Sequence, residues 1–322
     1  MQNPSSKTDL TTFQLKPTFP SMDIFKQIDE FLKTAKKPLL VILGPTASGK
    51  TALSLEIAHK YQGEIISTDS RQIYTEMEIG TDAITTEQQE GIPHHLLAIR
   101  KPDETLTMAE YKDLANQKIS EIYERKHIPM LVGGTGLYIS AIIEGYSTPR
   151  IPPDEKLRTK LEKYVEKNGV EKLYAKLQKL DPKAAEKIHP QNIRYVIRAI
   201  EVATHRSQNA PPVEKSSTPP FDTLLIGLEW PRPVLYERVN LRVDNQIKRG
   251  LVEEVKKLLA KGYSEKLPAM SSLGVKEIIP YIKGEMPLED CINILKQNTR
   301  NYAKRQMTWF RRYDNVVWIL NS

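Results

Sequence analysis

Cys291 is the single cysteine among 322 residues. That excludes an internal disulfide and any zinc site built on cysteines, and a reducing cytoplasm is the expected compartment. No apolar run approaches the ~20 residues that cross a bilayer, so no membrane partner is expected. The first residues lack the charged-then-apolar pattern of a signal peptide. The histidines are isolated except for His94-His95. Neighbours in sequence rarely share one metal, so that pair is read as structural. No internal repeat is visible.

Hydrophobic residues make up 39% of the chain and charged residues 27%, values of a soluble globular protein. The net charge is +7 and the isoelectric point is near 9.1. Proteins that hold polyanions often have such a balance, although the balance alone selects no function.

The most informative stretch is Leu39–Leu43 followed by Gly44-Pro45-Thr46-Ala47-Ser48-Gly49-Lys50-Thr51. It reads as a buried strand, a glycine turn and a helix over Thr51–Lys60. Gly44 and Gly49 allow the backbone to curl so that its N–H groups face one anion. Lys50 adds a point charge and the Thr51 hydroxyl can hold Mg²⁺. The positive end of the following helix aims at the same place. A phosphate or pyrophosphate cradle is the expected role.

Further apolar runs fall at Glu64–Ser67, Pro129–Val132, Thr223–Leu228 and Val316–Leu320, with helical stretches between them. This alternation predicts an α/β fold, a parallel sheet covered by helices on both faces. Residues 154–206 contain no strand-like run, and Leu157, Leu161, Val170, Leu173, Leu177, Ile193, Val196, Ile197 and Ile200 recur at helical spacing. The expected organisation is an N-terminal extension over 1–37, a core over 38–150 and 207–322, and an all-helical insertion over 151–206. The extension is read as a loose leader ending in one helix near Met22–Leu32. Prolines among Ser and Thr over 207–222 predict a strap. Helices are expected at Arg232–Arg249, Leu251–Lys261 and Leu288–Arg312. The insertion, basic on balance, is either a solvated hairpin or a clamp on a large anion.

Two more strand ends carry polar groups. Asp69 follows the second strand, and Thr135 follows Gly133-Gly134 after the third. In an open parallel sheet that edge faces the ligand crevice. A carboxylate there can bind Mg²⁺ or accept a proton, or it can simply cap a turn. Arg238 and Arg242 share a helix face and can reach a pyrophosphate, or can pair with Glu237 or Asp244. From Cys291 to Tyr313 there are six Lys/Arg and no acid. Lys296, Arg300, Lys304 and Arg311 form one basic stripe, which favours an RNA contact. The interleaved Tyr302, Trp309 and Phe310 are read mainly as core.

Together the strings resemble the tRNA dimethylallyltransferases, also called tRNA isopentenyltransferases. The matching pieces are Gly44–Thr51, Asp69–Tyr74 (DSRQIY), Met77–Thr81 (MEIGT), Pro93–Leu96 (PHHL), Leu131–Tyr138, Asp181–Glu201, Gly250–Val255 (GLVEEV) and Thr299–Arg311. They stand in family order from about Pro38 to Trp318.

The resemblance implies a P-loop NTPase-like fold whose loop, often labelled as an ATP site, holds the pyrophosphate of dimethylallyl pyrophosphate. It implies transfer of the dimethylallyl group to N6 of the adenosine 3′ of the anticodon, in tRNAs that read codons beginning with U. It assigns Asp69 as base, Thr135 as the group orienting the nucleotide, and Arg242 as a leaving-group contact. It places Ser70, Arg71 and Gln72 in the nucleotide pocket. Further tRNA contacts are implied at Arg194, Tyr195, Val196, Ile197 and Arg198, at Ser271, Ser272, Leu273, Gly274, Val275 and Lys276, and at Lys304 and Arg305. Tyr195 stands where the family usually has an arginine, and Val275 where it usually has tyrosine. Mg²⁺ is the expected cofactor and a monomer the expected state. A P-loop small-molecule kinase and a non-catalytic RNA-binding protein are the alternatives.

Overall fold

In a computed structural model, residues 21–145, 151, 153–205 and 220–321 are described. The leader over 1–20 and most of the expected strap lie outside them. In chain order the elements begin with α1 (Ser21–Thr34), β1 (Pro38–Leu43), α2 (Lys50–Tyr61), β2 (Gly63–Ser67), α3 (Glu78–Thr81) and β3 (His94–His95). They continue with α4 (Met108–Glu124), β4 (Ile128–Gly133) and α5 (Gly136–Ile143). The insertion holds α6 (Glu155–Asn168), α7 (Val170–Leu180), α8 (Pro182–Lys187) and α9 (Ile193–His205). Then come β5 (Asp222–Glu229), α10 (Arg232–Lys248), α11 (Leu251–Ala260), α12 (Val275–Ile282), α13 (Leu288–Phe310) and β6 (Val316–Leu320).

The six strands form one sheet in the order β3-β2-β4-β1-β5-β6, and every pairing is parallel. The continuous apolar runs follow from this, because strands buried on both faces need no polar alternation. β1 is enclosed at Leu39 through Leu43, between β4 and β5. The chain leaves β1 for β2 on one side and later returns to β5 on the other. The crevice beyond the carboxyl end of β1 is therefore a topological switch point.

Two cores sandwich the sheet. On one side α1 lays Ile24 and Ile28 with Leu53, Ile57 and Ala58 of α2 against Leu40, Ile42 and Ile226. On the other, Tyr111, Ala115 and Ile119 of α4, with Ile139 and Ile142 of α5, cover Leu39, Val41 and Leu131. A Thr107–Glu110 capping box starts α4. A third core joins α10 to α13 around Val255, Ile278 and Leu295.

The insertion has its own core of Leu161, Leu173, Leu177, Val196, Ile197 and Ile200. Glu201 is fully buried there. It accepts Arg158 Nε at 2.9 Å and Nη2 at 3.0 Å, the Asp154 N–H at 2.6 Å, and an Arg198 N–H. A buried carboxylate is tolerable only when so satisfied.

The predicted strands and long helices match these elements to within two residues. The short β3 was not foreseen: it has two half-buried histidines and no apolar run to mark it. Among the described residues no helix is long and apolar enough to cross a membrane.

Candidate active site

The phosphate loop begins where β1 ends. Gly44 has φ 153°, Ala47 φ 63° and Gly49 φ 97°. Ala47 is the costly member, since left-handed backbone disfavours a Cβ. Two carbonyls of the loop are held from α10 and its approach: Trp230 Nε1 donates to Ser48 O at 2.9 Å, and Arg238 Nε donates to Ala47 O at 2.8 Å. The Arg238 guanidinium also stacks on the Trp230 ring at 4.3 Å. Arg238 thus braces the loop; of the acids named as alternative partners for this helix face, Asp244 binds Lys296.

Lys50 Nζ donates to Pro45 O at 2.8 Å. Burial of the ammonium, then the nearby Arg242 charge, pulls its pKa down to about 7, against an opposing pull from Asp69. Lys50, Arg242 and Asp69 therefore share one electrostatic site. Arg242 Nη2 donates to Thr81 O at 3.2 Å and Nη1 lies 3.5 Å from Asp82. Gln72 Nε2 reaches the carbonyls of Thr81 and Asp82 at 3.4 and 3.3 Å. The Met77–Thr81 motif is therefore a shelf for both side chains. Glu254 holds that shelf through the N–H groups of Ile79 and Gly80 at 2.7 and 2.8 Å. Burial raises the Glu254 pKa.

Thr135 is bonded to both chain neighbours of Asp69 across the edge between β2 and β4. Thr135 N donates to Thr68 O at 3.0 Å, and Ser70 N donates to Thr135 Oγ1 at 3.0 Å. Asp69 Oδ1 accepts the Arg71 N–H at 2.9 Å. The turn-capping reading of Asp69 thus holds for Oδ1. The Tyr111, Tyr138 and Tyr302 phenols are all held above their usual range chiefly by burial, with the Asp69 charge a further cause in each and the second largest only for Tyr302.

Thr51 is exposed at the first turn of α2. Among the described residues no cluster of three or more His, Cys, Asp or Glu is placed to hold a metal. A lone hydroxyl beside the loop fits a Mg²⁺ ligated largely by pyrophosphate and water.

Several expected RNA contacts sit differently. Arg194 and Tyr195 are exposed at the start of α9, but Val196 and Ile197 are buried in the insertion core. Arg198 is engaged with Glu201. Ser271 and Lys276 are exposed, whereas Ser272, Gly274 and Val275 are buried and Leu273 is half-buried. The basic stripe also divides. Lys296 pairs with Asp244 at 2.7 Å and Arg311 with Glu229 at 2.6 Å, so acids from other elements meet part of it. Arg300 donates to Asn240. Lys304, Arg305 and Arg312 are exposed beside a shallow cleft with Trp309. Phe310 is core, while Trp309 is only partly covered. Gln306 and Trp230 bear on the loop without any local sequence signal of their own, although Gln306 lies within the Thr299–Arg311 motif. The His94–His95 reading stands: His95 Nε2 binds Glu64 at 2.7 Å and His94 Nδ1 binds Ile92 O.

A glycine phosphate loop at the central strand, opposed by a carboxylate and a threonine on neighbouring strand ends, defines a P-loop enzyme of the transferase kind. The IPP transferase model matches residues 72–313, and the chain belongs to that family. A tRNA dimethylallyltransferase of Acetivibrio thermocellus is 48% identical over 284 residues, covering 87% of this chain and 91% of its own. One from Halalkalibacterium halodurans is 46% identical over 286 residues, covering 88% and 91%. The solved tRNA isopentenylpyrophosphate transferase of Bacillus halodurans is 44% identical with a TM-score of 0.66, covering 88% of this chain and 90% of that one. A solved eukaryotic dimethylallyltransferase acting on tRNA is 29% identical with a TM-score of 0.74, covering 88% and 74%.

Proposed function

We propose that this chain transfers a dimethylallyl group from dimethylallyl pyrophosphate to N6 of the adenosine 3′ of the anticodon, in tRNAs that read codons beginning with U, and releases pyrophosphate. The observation that carries this reading is the shared edge. Lys50 and Arg242 stand with the phosphate loop, and Asp69 with Thr135 stands across from them.

An allylic pyrophosphate ionises readily, so negative charge grows on the leaving oxygen as its bond to carbon breaks. Lys50, Arg242 and the loop N–H groups stabilise that charge where it develops. The Thr51 hydroxyl would help hold a Mg²⁺ with the donor, and that ion would neutralise more of this charge. The adenine amine is a weak nucleophile. Asp69 takes one N6 proton as the N–C bond forms, and Thr135 orients the amine. The base leaves its stack to reach this site, which costs a few kcal/mol and less in a loop than in a duplex. Ser70, Arg71, Gln72, the exposed residues of the insertion and of 271–276, and Lys304 with Arg305 hold the anticodon arm. The enzyme acts as a monomer.

The test is incubation with unmodified tRNA, Mg²⁺ and radiolabelled dimethylallyl pyrophosphate. Label in RNA with free pyrophosphate supports the reading. Consumption of ATP with no label in RNA moves the assignment to a kinase.

A further inference from the structure

Gln306 lies in the same turn of α13 as the exposed Lys304 and Arg305, but its side chain points inward and the residue is 5% exposed. Its Oε1 accepts the Thr46 N–H at 2.9 Å, and its Nε2 donates to Gly134 O at 3.0 Å. Both bonds are buried and both span more than 170 residues of sequence. One planar group supplies the acceptor that an N–H needs and the donor that a carbonyl needs, and the primary amide does this without charge. The two partners fix which end is oxygen and which is nitrogen.

These partners belong to opposite halves of the site. Thr46 lies inside the phosphate loop, four positions before Lys50. Gly134 directly precedes Thr135, whose N–H is fixed to Thr68 O and whose Oγ1 is fixed to Ser70 N. Those two bonds flank Asp69. A side chain at position 134 would run into the Gln306 amide, so Gly134 is the residue that lets the amide reach its carbonyl. Ala303, one turn earlier in α13, packs with Leu235 and Val239 on Ala47 of the loop, which sets the helix at this height.

We propose that Gln306 is a positioning residue for the transfer: its amide sets the distance between the donor-holding loop and the Asp69–Thr135 pair. This rests on the reading under Proposed function. The amine and the allylic carbon are then held by groups on separate loops, and one side chain joins those loops. Displacement of reacting groups by about 1 Å can cost on the order of 100-fold in rate.

Two variants test this, each assayed per mole of folded enzyme, with unfolding followed in parallel. Gln306→Met keeps the volume and removes both bonds. It should lower kcat at least ~10-fold, with the KM for tRNA within about twofold of wild type. Gln306→Glu keeps an acceptor for Thr46 N–H but turns a carboxylate toward the Gly134 carbonyl, which raises its pKa. When protonated, that acid again offers one acceptor and one donor. Its kcat relative to wild type at each pH should therefore recover as pH falls from ~8 to ~6, and the Met variant should show no such recovery. A merely space-filling role predicts a wild-type kcat for the Met variant and a flat ratio for the Glu variant, and that result overturns the proposal. Absence of label transfer by the wild type overturns the underlying reading as well.

Discussion

Arg71 Nη2 donates to Ser271 Oγ at 3.2 Å, across 200 positions of sequence. Its Nη1 donates to the Pro268 carbonyl. The turn beside Asp69 and the 268–274 segment before α12 are therefore one rim. The forked guanidinium makes the two contacts from two separate nitrogens held in one plane, a geometry that a single ammonium nitrogen does not reproduce.

Arg71→Lys keeps the charge and loses the fork. The expected outcome is a severalfold rise in the KM for tRNA with a smaller change in the donor KM. In a double-mutant cycle with Ser271→Ala the effects should be non-additive. Strict additivity would show that the bond does not organise the rim.

Asp69→Asn separates turn formation from chemistry. The amide oxygen can still accept the Arg71 N–H, but the group no longer takes a proton. kcat should fall by ~10²–10⁴, with thermal stability and pyrophosphate binding near those of wild type. A near-wild-type rate would leave Asp69 as a turn residue only.

Lys50 predicts a pH dependence of donor binding. Its pKa is pulled to about 7 in the ligand-free site, and a bound pyrophosphate favours the ammonium. Binding above that pH must take up a proton. The affinity for inorganic pyrophosphate should fall as pH rises from ~7 to ~8.5, by up to about tenfold per pH unit. Calorimetry in buffers of different ionisation enthalpy reads the uptake directly, and a pH-independent affinity with no proton uptake would contradict it.

Glu64 predicts acid sensitivity away from the site. It lies at the amino end of β2, with its side chain 2% exposed. Arg125 Nε and Nη2 donate to it at 2.8 Å, and His95 and His127 each lie at 2.7 Å. The Arg125 hydrogen bonds lead in lowering its pKa to about 2 against the effect of burial, with the two histidines adding to them. A depressed carboxylate stabilises the fold above its ordinary pKa near 4.5 and loses that contribution as pH falls toward 2. The difference corresponds to roughly 3 kcal/mol. Glu64→Gln should lower Tm by several degrees at neutral pH, and the gap to wild type should close on acidification. Activity per folded molecule should not change, and denaturant melts across pH read the gap.

Much of the frame was legible because its causes are local. Leu39–Leu43 runs into a glycine turn, and a strand buried on both faces must be continuously apolar. The insertion announced itself through helical spacing at Leu173, Leu177, Val196 and Ile200. Asp69 and Thr135 were legible as strand-end polar groups. The basic stripe on α13 misled in part, because Asp244 and Glu229, which meet Lys296 and Arg311, lie on other elements. Val196 and Ile197 shared a motif with Arg194, but a motif does not say which side of a helix faces inward.

The sequence by itself determined the parallel α/β plan, the phosphate loop, the helical insertion and the family. Each depends on residues close in the chain, through backbone conformation, spacing and burial pattern. Only the tertiary structure decided that Gln306 joins Thr46 to Gly134, that Trp230 and Arg238 brace the loop, that Arg71 meets Ser271, and that Glu64 lies under Arg125, His95 and His127. Those pairings join residues far apart in the chain, so their geometry exists only once the sheet has stacked its strand ends and α13 has packed across them.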